Sequence, residues 1–78
     1  MITFDEAKKV ALSLVPGADV CDEYKKAYHF LNSQVEAEGG FNDVVVMKED
    51  GRTRTFVQFL LDSNPENNPK RIILYRND

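Results

Sequence analysis

The stretch "VCDEYKKAYHF", residues 20 to 30, contains the chain's only cysteine (Cys21), its only histidine (His29) and two of its three tyrosines. Its reading decides the fold, because it fits two secondary structures. As a helix it sets Val20, Tyr24, Tyr28, Leu31 and Val35 on one stripe at spacings of 4, 4, 3 and 4, ending at Gly39-Gly40. As strands it becomes "DVCDEY" and "AYHFLN" around a Lys25-Lys26 turn, with the aromatic and β-branched content of strands but no turn-favouring glycine or asparagine. Periodicity alone leans slightly toward the helix.

The same choice governs the chemistry. Cys21 and His29 would form a nucleophile and base only if they touched and if some group lowered the thiol pKa. On a helix, eight residues span about 12 Å of rise, which is too far. On a hairpin with an even loop, Cys21 pairs with Phe30 and His29 with Asp22, so the two side chains point to opposite faces. The expected state is a small buried thiol and a histidine partnered by a carboxylate.

Upstream, "ITFDEAKKVALSLVPG" carries a helix start and stop. Thr3 and Glu6 have capping-box spacing, Asp5 and Glu6 complement the helix dipole, and Pro16-Gly17 ends the element. Phe4, Ala7, Val10, Ala11, Leu14 and Val15 form its apolar stripe.

Downstream, "DVVVMKEDGRTRTFVQFLLD" reads as a hairpin around Asp50-Gly51. A two-residue loop pairs Glu49 with Arg52, Met47 with Arg54, Val45 with Phe56 and Val44 with Val57. One face (Val44, Val46, Thr55, Val57, Phe59) is assigned to the helix and the core. The other mixes Val45, Met47, Phe56 and Leu60 with Arg54 and Gln58. "SNPENNP", 63 to 69, is a loop, and "KRIILY" is a short closing strand with Ile72 and Leu74 pointing one way and Ile73 and Tyr75 the other.

Seventy-eight residues make one domain, burying about 60 to 65% of the surface its unfolded chain exposes. Apolar residues at 42% and charged residues at 29% are ordinary globular usage, so the chain should fold. The net charge is −3 and the bases are scattered, which counts against nucleic acid. A single cysteine excludes an internal disulfide and any multi-cysteine metal site. No apolar run reaches membrane length, and Met1 opens on an acidic helix start rather than a signal pattern, so a cytoplasmic location is expected.

No second histidine, Ser-His-Asp set or phosphate-binding glycine loop offers another catalytic arrangement, and no cofactor or metal is expected. Glu36, Glu38 and Asp43 flank Gly39-Gly40 as an acidic loop suited to a basic partner. Arg52 and Arg54 sit near the hairpin tip, facing either cross-strand carboxylates or an acidic partner. Val45, Met47, Phe56 and Leu60 are either a dimer or partner interface or are covered by the chain's own second layer.

The capped helix of Thr3, Glu6 and Ala7, the aromatic "AYHFLNS" and the strand "VVVMKEDG" running into a turn together resemble the immunity-protein 35 family of bacterial polymorphic toxin systems. "TFDEAKKVALSLVPGADV" is also similar to the helix opening of PepSY domains, modules associated with protease inhibition and partner binding. The first resemblance implies strands for residues 20 to 32 and a toxin as partner. Both imply a non-catalytic binding module. The expected fold is α+β, an N-terminal helix on an antiparallel sheet of four to five strands with the Asp50-Gly51 hairpin at its centre. The expected function is binding another protein. A homodimer, or a small thiol enzyme using Cys21 and His29, is the alternative.

Overall fold

A computed structural model describes residues 1–33 and 42–74. Helix α1 (Phe4–Leu14) is followed by strands β1 (Val20–Glu23), β2 (Ala27–Leu31), β3 (Asp43–Met47) and β4 (Thr53–Arg54). Helix α2 (Phe56–Ser63) and strand β5 (Lys70–Ile73) complete the order. The five strands form one antiparallel sheet in the order β4-β3-β2-β1-β5. The fold is α+β, with α1 packed on one sheet face and α2 on the other.

Residues 20 to 31 are a hairpin. Cys21 pairs with Phe30 and Asp22 with His29, the register an even loop requires. The Lys25-Lys26 turn closes without glycine because its surroundings hold it. Tyr24 N–H donates to the Ala27 carbonyl, Lys25 N–H to the Glu66 carboxylate, and the Lys26 carbonyl accepts from Lys48 N–H. Neither lysine takes a positive φ. Tertiary hydrogen bonds thus supply what turn residues usually provide.

Helix α1 begins as its sequence dictates. The Thr3 hydroxyl accepts from Glu6 N–H at 3.1 Å and the Glu6 carboxylate accepts from Thr3 N–H at 2.9 Å. Hydrogen bonding from the Thr3 backbone N–H, and then from the Thr3 side chain, holds the Glu6 carboxyl below its ordinary range. Ala7 and Ala11 are fully buried against the sheet, and Phe4 meets Tyr28 edge to face at 5.4 Å and stacks on Phe30 at 5.9 Å. Small residues at the contact let the helix approach closely, so the rings fill the remaining space. Cys21, Val44 and Val46 complete this core, with Ile72 and Leu74 packed on it.

The second half departs from the sequence expectation in three ways. First, the hairpin after β3 has a four-residue loop, Lys48 to Gly51, closed by Met47 N–H to the Arg52 carbonyl at 2.8 Å. Val45 therefore faces Arg54, not Phe56, a slip of two residues that preserves which side each residue faces. A two-residue loop would need positive φ at Asp50 as well as Gly51. Here Gly51 alone has it (φ +77°), while the Asp50 side chain accepts from Arg52 N–H at 3.0 Å.

Second, residues 56 to 63 are a helix rather than a strand. Thr55 caps it, its hydroxyl accepting from Gln58 N–H at 3.1 Å while the Gln58 side chain accepts from Thr55 N–H. Asn64 ends it in the left-handed conformation (φ +43°, ψ +59°). Phe56 and Phe59, one turn apart, land on the sheet face opposite α1, where Tyr24, Ala27 and Val45 need cover. Phe59, assigned from sequence to the α1 core, belongs to this second core instead.

Third, the Asp50-Gly51 hairpin lies at one edge of the sheet, and β2 is its central strand. β5 pairs with β1 at the other edge, with Ile72 and Leu74 on one side as expected, and that side is the α1 core.

Candidate functional site

Cys21 and His29 lie on neighbouring strands but opposite faces of the sheet. Cys21 is fully buried under α1 among Ala11, Ala18 and Phe30. Burial, with the nearby Asp22 and Glu23 carboxylates, pushes its thiol up to about 12. His29 is buried on the α2 side, its ring stacked on Phe56 at 4.1 Å and nearly parallel. Its Nε2 lies 2.7 Å from Asp43 Oδ2 on β3, and because a carboxylate only accepts, Nε2 carries the hydrogen. The sulfur and the imidazole therefore do not meet: the first is packed under α1 and the second is held by Asp43 on the α2 side.

Asp43, read from sequence as part of an acidic loop, is thus held by His29. Its two companions, Glu36 and Glu38, lie outside the described residues. Arg52 pairs with Asp50 at 3.3 Å and Arg54 with Asp62 at 3.3 Å. Arg54 therefore reaches a carboxylate of α2, a helix the sequence reading did not place there. Half-buried charge is likewise matched, since Lys48 donates to Glu23 at 2.8 Å and lies 4.8 Å from the Tyr28 ring centroid.

The apolar group Val45, Met47, Phe56 and Leu60 is divided. Val45 is fully buried and Met47 half-buried beneath α2, and Phe56, half-buried, is part of the α2 layer that covers most of that face. What α2 turns outward is different. Val57, Leu60 and Leu61 are 64%, 43% and 79% exposed, on positions i, i+3 and i+4 of one helix. Val57, assigned from sequence to the face under α1, lies instead on the surface because residues 56 to 63 are helical, and Leu61 was not singled out. The signal that would have found them is Thr55-x-x-Gln58, a capping box like that of α1, which converts the following run from period 2 to period 3.6.

A cleft of about 560 Å³ opens between the end of α1 (Leu14, Val15), Val44 and the β4–α2 junction. Its polar groups are already engaged: Asp43 with His29, Arg54 with Asp62, Thr55 with Gln58. Among the described residues no group of three or more His, Cys, Asp or Glu side chains is placed to hold a metal, and no helix is long and apolar enough to cross a membrane. No family model, curated protein or solved structure matches the chain.

Proposed function

We propose that the chain is a non-catalytic protein-binding module whose contact surface is the outer face of α2, and that a toxin is the kind of partner it neutralises. The observation that carries the reading is the exposure of Val57, Leu60 and Leu61 together, in a domain small enough that apolar side chains are needed inside. Water-facing leucines on a helix cost solubility and contribute nothing to this core, so a partner that covers them is their natural use. The toxin reading draws on the resemblance of the α1, β2 and β3 segments to immunity proteins.

Non-catalysis is supported by the separation of sulfur and imidazole, each sealed on its own side of the sheet. Neutralisation would work by occlusion: a rigid α+β body laid over the partner's working surface, with Glu36 and Glu38 steering a basic partner. The test takes the products of coding regions adjoining this one and measures their binding to the chain. Tight binding by a toxic product, lost in the Val57→Gln, Leu61→Gln double variant while the unfolding midpoint holds, is expected. Binding to a toxic product that the double variant leaves unchanged would overturn the α2 assignment.

A further inference from the structure

We propose that the outer edge of β5 is a further binding surface, which takes an extended acidic segment of another protein as an added antiparallel strand. This edge is separate from the outer face of α2, a helix that packs over β3, and the proposal does not rest on the contact made there.

The backbone gives the shape of the occupant. β5 ends the sheet, with β1 on one side and no strand of the described residues on the other. Leu74 N–H donates to the Asp19 carbonyl, and residues of an antiparallel ladder alternate between the two edges of their strand. Ile72 and Lys70 therefore also turn their peptide groups to β1, and Arg71 and Ile73 turn theirs outward. Two donors and two acceptors thus lie in a row on an edge whose residues Lys70, Arg71 and Ile73 are exposed. An extended backbone is the ligand that matches this alternation.

The side chains give its composition. Lys70 faces Glu23 across the ladder, but the Glu23 carboxylate is held by Lys48 at 2.8 Å. Lys70 enters no ion pair among the described residues, and neither do Lys25 and Lys26 in the turn that follows β1. Glu66, at the same corner, accepts from Lys25 N–H at 3.0 Å. Arg71 gives its Nε and Nη2 to Asp22 at 2.9 and 3.1 Å, and a guanidinium has further N–H groups to give. In a chain of net charge −3 this corner is therefore basic. The far end of the strand is apolar, with Ile72 half-buried and Ile73 55% exposed. An antiparallel strand laid along it reads, from its N-terminal end, apolar opposite Ile73 and Ile72, then acidic opposite Arg71 and Lys70. A second copy of the chain is a poorer occupant. The outward peptide groups fix its register, setting Arg71 opposite Ile73 or Arg71 of that copy, a charge on an apolar side chain or on its like. Lysine and arginine on a sheet edge discourage such self-pairing, and the same charges select an acidic strand.

The test follows the backbone amides of the full chain by nuclear magnetic resonance during titration with the end-blocked peptide Thr-Thr-Val-Ile-Glu-Glu-Thr-Thr. Saturable shifts centred on Arg71 and Ile73 are expected, with a dissociation constant of roughly 0.1 to 1 mM for so small a contact. Methylating the peptide nitrogen of the first glutamate, which faces β5, should abolish binding, whereas methylating that of the second, which faces away, should leave it. Lys70→Glu, at an exposed position, should weaken binding about fivefold and should accept the Val-Ile-Lys-Lys counterpart instead. Unmoved β5 amides at about 2 mM peptide overturn the proposal, and so does equal binding of the acidic and basic peptides, or indifference to where the methyl group sits. Shifts at β5 that appear on concentrating the chain alone would give the edge to a second copy and overturn it too. None of these outcomes touches the α2 surface, which the Val57→Gln, Leu61→Gln variant tests by itself.

Discussion

Cys21 has its sulfur in a dry, apolar site, and that position has a pH signature. Burial raises the thiol from its ordinary 9.0 to about 12, so folded protein keeps the proton over a range where the unfolded chain releases it. The group's contribution is fully present below pH 9 and is lost as pH rises from 9 toward 12. At pH 10 the loss from this one group is roughly 1.4 kcal/mol. Denaturant unfolding at pH 8 and pH 10 should show it, and Cys21→Ala should remove that part of the slope. An equal slope in the variant would mean that the thiol is not the titrating group. Gly51 is the second residue with a single physical role. Its φ of +77° is left-handed, and an added Cβ would meet Ile2 Cγ2 at 3.4 Å. Gly51→Ala should therefore cost about 1 to 2 kcal/mol, read as a lower denaturant midpoint with an unchanged slope.

Helix α2 is held by few contacts, and each is testable. Thr55→Ala removes a capping bond and should cost about 1 kcal/mol. Phe59→Ala, at a fully buried site against Tyr24 (ring centroids 5.1 Å apart), should cost about 3 to 5 kcal/mol. In that variant protease should cut within 56–63 before the rest of the domain opens, whereas cleavage only on global unfolding would show that α2 is not independently released. The sequence disclosed the bounds of α1 because cap and stop agree there, and most of its apolar stripe, but Leu14, placed on that stripe, is 51% exposed. It disclosed the β1–β2 register once a hairpin was assumed, since side-chain alternation then leaves no freedom for Cys21 and His29. It did not disclose α2, because "FVQFLL" satisfies both periods and the deciding fact is tertiary: Val45, Ala27 and Tyr24 form an apolar face that a further strand would leave open. The Arg54–Asp62 pair and the exposed leucines were hidden by the same ambiguity. The loop after β3 was misjudged by two residues because Asp-Gly signals a turn without fixing its length.

At the scale of the molecule, one sheet divides two cores, a larger one under α1 and a smaller one under α2. The central strand β2 serves both, with Tyr28 and Phe30 on one side and Ala27 and His29 on the other. Loosening either helix therefore exposes only one side of the sheet. The capping box at Thr55 acquires a meaning here that local stability does not convey. Phe56 to Leu61 is six residues with no charge, proline or glycine, three of them (Phe56, Val57 and Phe59) β-branched or aromatic, which is the composition of a steric zipper. It directly follows β4, a strand at the open edge of the sheet. Without the cap, α2 gives up about 1 kcal/mol of its advantage over an extended segment that would lengthen that edge and recruit other chains. Thr55→Val, which removes the cap and favours an extended backbone, should form thioflavin-positive fibrils under mild denaturant, while Thr55→Asp, which keeps a capping oxygen, should stay clear. Equal behaviour of the two variants would refute the idea. The hydroxyl that starts α2 then also works against chain-to-chain pairing, because it favours the helix over the extended form of an apolar hexapeptide beside an open sheet edge.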